Sequence, residues 1–184
     1  MIRHSKPSLG NRELQSIQQT LDSGYVGTGP IVRQFEEAMA RRLGRAHAIA
    51  FCSGTTALEY AVAVLGLEAG SEVLVPSYVC GSVPGAVMLA GATVRLVDVD
   101  LSTYNVTAEQ LGESGFACLV APHMLGLPVE QALFEACEKQ SVRVIEDCAM
   151  CLVQSQSEEA IGNRGLLSVC SFYATKLLTT GQGG

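Results

Sequence analysis

From His47 onward the chain repeats one pattern: a short apolar run, a turn of small residues or glycine, then a helical stretch. The runs are Ala48–Cys52, Glu72–Pro76, Thr93–Asp98, Ala117–Ala121, Ser141–Asp147 and Leu167–Phe172. Runs that are apolar throughout, rather than alternating, belong to strands buried on both faces. With helices between them, they predict a mostly parallel sheet covered on each side, an α/β domain. At 184 residues, 48% apolar and 16% charged, the chain can bury such a core in one domain and is not disordered.

The helices read with their glycine stops. Asn11–Ser23 sets Leu14, Ile17 and Leu21 at helical spacing and ends before Gly24. The connector Gly24-Tyr-Val-Gly-Thr-Gly-Pro30 reads as a turn, and Ile31–Leu43 is a second amphipathic helix closed by Gly44. Further helices are expected at Ala57–Leu67, through Val87 and Met88, after the capping box Thr107-Ala-Glu-Gln110, and from Pro128 to Lys139. The organisation is then a helical segment, 1–46, and an α/β core, 47–184, with no internal linker.

Charge and cysteine usage exclude several classes. Twelve basic against eighteen acidic residues, with no Lys/Arg stripe, argue against nucleic acid as a partner. No run is long and apolar enough for a membrane span, and Met1–Ser8 has no leader-like apolar stretch. Four of the seven cysteines (Cys52, Cys118, Cys148 and Cys170) sit inside or at the ends of apolar strand-like runs, where a thiol is a small hydrophobe; a reducing cytoplasm is expected. Cys148-Ala-Met-Cys151 spells C-x-x-C without a second pair or a helix-opening context, so zinc or redox use is not favoured.

Three places carry possible chemistry. Ser53-Gly-Thr-Thr56 turns from a strand into a helix without bulky side chains, and free amides at a helix start suit a phosphate; it is also ordinary turn composition. Glu146-Asp147 ends a buried strand, where a carboxylate needs a partner, in the plainest case an arginine or a helix cap. Lys176 follows Ser171-Phe-Tyr-Ala-Thr at the carboxyl end of the last strand, the edge where open α/β sheets bind ligands, though most lysines are simply exposed. Together, a phosphate cradle, a carboxylate and a lysine are the parts of a pyridoxal 5'-phosphate site. The phosphate anchors, the carboxylate keeps the pyridine nitrogen protonated, and the lysine carries the aldehyde as a Schiff base.

Read as a whole, the sequence resembles the DegT/DnrJ/EryC1/StrS family of sugar aminotransferases, pyridoxal phosphate enzymes of fold type I. The matching pieces run from Lys6-Pro-Ser-Leu-Gly10 through Ser23–Pro30, Ser53-Gly-Thr-Thr-Ala-Leu58, Gly70–Ser77, Gly91–Asp100 and Ile145-Glu-Asp-Cys-Ala149 to Ser171-Phe-Tyr-Ala-Thr-Lys176. The resemblance implies that Gly54 and Thr55 bind phosphate through backbone amides, with the Ser171 hydroxyl beside them. It implies that Asp147 pairs with the pyridine nitrogen and that Lys176 is both the covalent anchor and the proton carrier. Family dehydratases have histidine in place of this lysine, so its presence favours amino transfer. Two positions depart from the family pattern. Cys80 stands where an aromatic residue usually stacks on the cofactor ring, with Tyr78 nearby as a substitute. Met150 stands where most relatives have Gln or His, and a thioether donates no hydrogen bond. His123 matches a family histidine that is either structural or near the site.

The resemblance further implies a homodimer acting on a nucleotide-linked keto sugar with glutamate as amino donor. It also implies an antiparallel strand and a small carboxy-terminal domain after Gly184, so the chain is expected to be a truncated piece, with Ala48–Cys52 left unpaired at an open edge. Two other readings stand beside it: another fold type I enzyme, such as a lyase or desulfurase, and a silent cofactor-binding or sensory homologue. A nicotinamide-binding domain is disfavoured, because no G-x-G-x-x-G follows the first strand of the alternating region.

Overall fold

The computed structural model describes residues 5–112, 115–151 and 161–184; the first four residues of the amino-terminal run lie outside it. Helices α1 (Asn11–Asp22) and α2 (Pro30–Leu43) come first. Then follow α3 (Gly54–Ala63), β1 (Glu72–Pro76), α4 (Ser82–Leu89), β2 (Thr93–Val97), α5 (Ala108–Leu111), β3 (Cys118–Pro122), α6 (Gln131–Lys139), β4 (Arg143–Asp147) and β5 (Leu167–Val169). The strands form one five-stranded sheet in the order β2-β1-β3-β4-β5, and every pair is parallel.

Alternation along each strand divides the core. Val73, Val75, Val120, Ile145 and Val169 face the layer made by α3 and α4 with Leu58, Val62, Val83 and Val87. Leu74, Leu119, Ala121 and Val144 face the opposite layer, with Leu111 of α5 and Leu133, Phe134 and Cys137 of α6. The central strands are thus buried from both sides, as apolar runs without alternation require. Among the described residues, no helix is long and apolar enough to cross a membrane.

The structure corrects several boundaries. Ala48–Cys52 is extended chain but not a strand of the sheet: Ile49 is 72% exposed, and the Ala50 amide donates to Glu36 Oε1 at 2.8 Å. Nor is its backbone wholly unpaired, because Phe51 and Gly184 exchange amide–carbonyl hydrogen bonds of 2.8 and 3.1 Å. Helix α3 begins at Gly54, since Ser53 Oγ accepts from the Thr56 amide and caps it there. Helix α6 begins at Gln131, not Pro128. Its approach is held extended, with the Leu127 and Pro128 carbonyls accepting from Asn105 Nδ2 and the Val129 amide donating to His123 Nδ1. The last strand stops at Val169, short of Phe172.

Helix α1 has the expected amphipathic spacing, yet Leu14, Ile17 and Leu21 are all exposed. A cavity of about 570 Å³ lies beside β5, lined by Phe35, Met39, Phe51, Leu167, Phe172 and Gly184.

Candidate functional site

The site is built from the carboxyl ends of β4 and β5 and the start of α3. Parallel strands deliver their carboxyl ends to one edge, and the turns there are free to carry polar groups. Ser53 takes the Thr56 amide with its side chain and the Ala57 amide with its carbonyl. The amides of Gly54 and Thr55, first in the helix, have no intrahelical carbonyl within reach and sit at the positive end of the helix dipole.

Ser171 is at this same place. A Cβ built on Gly54 would fall 2.8 Å from Ser171 Cβ and 3.2 Å from Ser171 Oγ. Only glycine lets the two turns approach this closely, and the approach sets a hydroxyl beside two free amides. Gly184 lies against the Ser53–Gly54 backbone, where a Cβ would overlap it. Small residues on three sides and amide and hydroxyl donors around them suit a phosphate group.

Glu146 and Asp147 occupy opposite faces of β4, and the structure gives them different work. Glu146 is fully buried and does not reach the open edge. Its carboxylate accepts from the amides of Gly162 at 2.9 Å, Arg164 at 2.8 Å and Gly165 at 2.7 Å, from Arg45 Nη2 at 3.3 Å, and from His123 Nε2 at 3.0 Å. His123 Nδ1 accepts the Val129 amide at 3.0 Å, so the ring proton is on Nε2 and the neutral tautomer donates to Glu146. Burial pushes the Glu146 carboxyl up, but the His123 hydrogen bond and the Gly165 and Gly162 amides outweigh it and hold the group below its ordinary value. His123 is therefore structural in this fold: its side chain serves Glu146, and its own amide donates to the Asp147 carbonyl at 3.0 Å.

Asp147 is the carboxylate that faces the site. It is half-buried, and Oδ1 accepts from the Ala149 amide at 2.9 Å. Burial raises its pKa, against the Ala149 amide and the positive charge of Lys176. That charge also acts on Cys80, an exposed thiol whose pKa is lowered first by hydrogen bonding to Ser82. Cys80, Asp147 and Lys176 are thus brought within electrostatic range of one another. Lys176 is half-buried on the loop after β5, its amide bonded to the Tyr173 carbonyl at 2.9 Å. Tyr78 is exposed and packs on Tyr104, ring centroids 5.3 Å apart. Met150 is 41% exposed on the loop after β4, with its carbonyl close to Gly126.

The loop around Glu146 is what sequence reading misses. Arg45, Gly162, Arg164 and Gly165 have no catalytic pattern, and the signal available was Gly162-Asn-Arg-Gly165, a turn composition shortly after a buried Glu. A Cβ on Gly165 would lie 2.7 Å from the Val144 carbonyl oxygen and 3.1 Å from Glu146 Cγ. Gly165→Ala is expected to lower stability by about 1–3 kcal/mol, as overpacked sites do, read as a fall in Tm. An unchanged Tm would show that this loop yields freely.

Among the described residues no cluster of His, Cys, Asp or Glu is arranged to hold a metal.

Comparison with known proteins identifies the family and the fold. The sequence profile of the DegT/DnrJ/EryC1/StrS aminotransferase family matches residues 7–184. An aminotransferase from Psychrobacter cryohalolentis is 31% identical with a TM-score of 0.90, over 97% of this chain and 47% of that one. The aminotransferase TlmJ from Streptoalloteichus hindustanus is 32% identical with a TM-score of 0.91, over all of this chain and 52% of that one. The E. coli GDP-4-keto-6-deoxy-D-mannose-3-dehydratase, solved with bound hydrated PLP, shares the fold at 24% identity and a TM-score of 0.90, over 97% and 49% of the two chains. The chain spans about half the length of these solved structures.

Proposed function

The chain belongs to the DegT/DnrJ/EryC1/StrS aminotransferase family, and from that premise we propose that it forms the pyridoxal phosphate-binding part of an enzyme moving an amino group from glutamate to a nucleotide-linked keto sugar. The observation that carries this reading is one sheet edge holding the free amides of α3, the Ser171 hydroxyl, the half-buried Asp147 and Lys176. In its cofactor role the bound group supplies an electron sink for negative charge developing on the carbon that bears the amino group.

The chain's own residues do the rest. The amides of Gly54 and Thr55 and the Ser171 hydroxyl take the phosphate, where the helix dipole adds to three donors. Asp147 holds the ring nitrogen protonated; the Ala149 amide occupies only Oδ1 and leaves Oδ2 for that partner. Lys176 Nζ would be the covalent anchor of that group and the base that moves a proton at the carbon bearing the amino group. Cys80 and Met150, at positions that would border the ring, supply neither an aromatic face nor a hydrogen-bond donor of the usual strength. We read residues 1–46 as a helical segment leading into the α/β core of 47–184, and the full-length protein as a homodimer.

The test uses the full-length protein with pyridoxal phosphate, glutamate and a set of nucleotide-linked keto sugars. One 2-oxoglutarate formed per aminated sugar is expected. Cofactor binding without any turnover would assign the protein to silent homologues, a result that Cys80 and Met150 would explain. Elimination products in place of an aminated sugar would assign it to a lyase.

A further inference from the structure

The two thiols of the Cys148-Ala-Met-Cys151 turn have no role in the amino transfer proposed above, yet the geometry of the turn is specific. Cys148 directly follows Asp147 and is buried, its amide bonded to the Val169 carbonyl at 2.7 Å. The Cys151 amide returns to the Cys148 carbonyl at 3.3 Å, and Cys151 Sγ donates to that same oxygen at 3.3 Å. An i to i+3 turn of this kind brings its end α-carbons within about 7 Å, against the roughly 4.4–6.8 Å that a disulfide spans. The Cys148 thiol also feels its neighbours: Cys151 and Cys170 are the first causes of its raised pKa. Cys151 and Cys170 are half-buried, so an oxidant reaches them before it reaches Cys148.

We propose that Cys148 and Cys151 are a peroxide-oxidisable dithiol, closing to a disulfide directly beneath Asp147. In the first step the Cys151 sulfur attacks hydrogen peroxide, an S–O bond forms as the O–O bond breaks, and water leaves with the thiol proton. In the second, Cys148 sulfur attacks the Cys151 sulfenic sulfur, the S–S bond forms as S–O breaks, and a second water leaves with the Cys148 proton. Two thiols are oxidised by one electron each and one peroxide is reduced to two waters. Hydrogen bonding to Cys151 and Cys170, together with burial, holds the Cys148 thiol well above its ordinary pKa and keeps it from the first step, which falls to the more exposed Cys151. The bridge draws in the Ala149-Met150 segment, whose Ala149 amide holds Asp147 Oδ1. Oxidation therefore acts on the one carboxylate that faces the site, a consequence that rests on the function proposed above.

The experiment treats reduced full-length protein with hydrogen peroxide, blocks remaining thiols with N-ethylmaleimide, and sequences tryptic peptides by mass spectrometry. The peptide Val144–Arg164 is expected to be lighter by two hydrogens and to carry no label. Cys151→Ser should leave Cys148 open to labelling, and Cys170→Ser should leave the bridge intact. Full labelling of both cysteines, a sulfinic acid on Cys151 alone, or a cross-link to the peptide carrying Cys170 would each overturn the dithiol. Pyridoxal phosphate titrated into reduced and oxidised protein is expected to bind more weakly to the oxidised form and to recover with dithiothreitol. Equal affinity in protein shown to hold the bridge would overturn the coupling to Asp147 alone. Absence of binding to the reduced protein would count instead against the cofactor reading.

Discussion

Lys176→Ala in the full-length protein is expected to reduce amino transfer by about 10³-fold or more, because on the proposed function one side chain supplies both the covalent anchor and the base. The fold should not register the change. Lys176 is half-buried on a loop, and its backbone bond to Tyr173 does not depend on the side chain. Loss of the ammonium also removes a positive charge that acts on Asp147 and Cys80, so both groups should titrate higher in the variant. Three measurements separate the possibilities: turnover, the visible absorbance that appears when cofactor is added, and Tm. Turnover and absorbance should disappear together while Tm stays within a degree or so, since surface changes away from packing cost little. Lys176→Arg should not rescue, because a guanidinium stays protonated and cannot act as nucleophile or base. A Lys176→Ala protein with turnover within tenfold of the parent would refute the assignment. One that failed to fold would move the lysine from chemistry to structure.

Much of this arrangement can be read from the chain, and the parts that cannot share a physical cause. The central strands β1 and β3 announce themselves because burial on both faces demands continuous apolar runs, and Val73-Leu-Val75 or Leu119-Val-Ala121 admit no other placement in a mixed α/β pattern. Ala48–Cys52 looks the same on paper but lacks what makes a strand, a neighbour along its length, and its hydrogen bonds run to the Glu36 side chain and to Gly184. Strand membership is a pairing property, and a local run of apolar residues does not contain it. The start of α6 differs from the sequence expectation for a related reason. Pro128 is a good first helical residue in isolation, but Asn105 and His123, distant in sequence, hold residues 127–129 extended. At the site, alternation along β4 already places Glu146 and Asp147 on opposite faces. It does not say which carboxylate is enclosed. That follows from Arg45 and the Gly162–Gly165 loop closing around Glu146, contacts made across more than a hundred residues in one case and sixteen or more in the others.

Asp147→Asn is expected to separate stability from function. Burial raises the Asp147 carboxyl against the opposing effects of the Ala149 amide and the Lys176 charge. A carboxyl raised in the folded state binds more protons there than when unfolded, at every pH between the two pKa values. Stability therefore falls as pH rises through that window, and at neutral pH the folded protein carries an ionised group it would rather protonate. Asparagine keeps the shape and an oxygen for the Ala149 amide but removes the charge. Without cofactor, the variant should melt at or above the parent at pH 7. The gap should close as pH falls below about 3.9, where the parent carboxyl is protonated in both states. Amino transfer should nevertheless drop by about 10²–10³-fold, the loss typical when one preorganised electrostatic partner is removed from a reacting centre. Cofactor should also stabilise the variant less than the parent, because an amide gains nothing from a protonated ring nitrogen. The decisive comparison is Tm with and without pyridoxal phosphate at pH 7 and near pH 4, alongside turnover. A variant that is less stable without cofactor at pH 7 would mean that the Asp147 charge holds the end of β4 together. Retained turnover would mean that another group keeps the ring nitrogen protonated. The expected pattern, more stable when empty and far slower when loaded, is that of a charge placed where folding disfavours it and chemistry requires it.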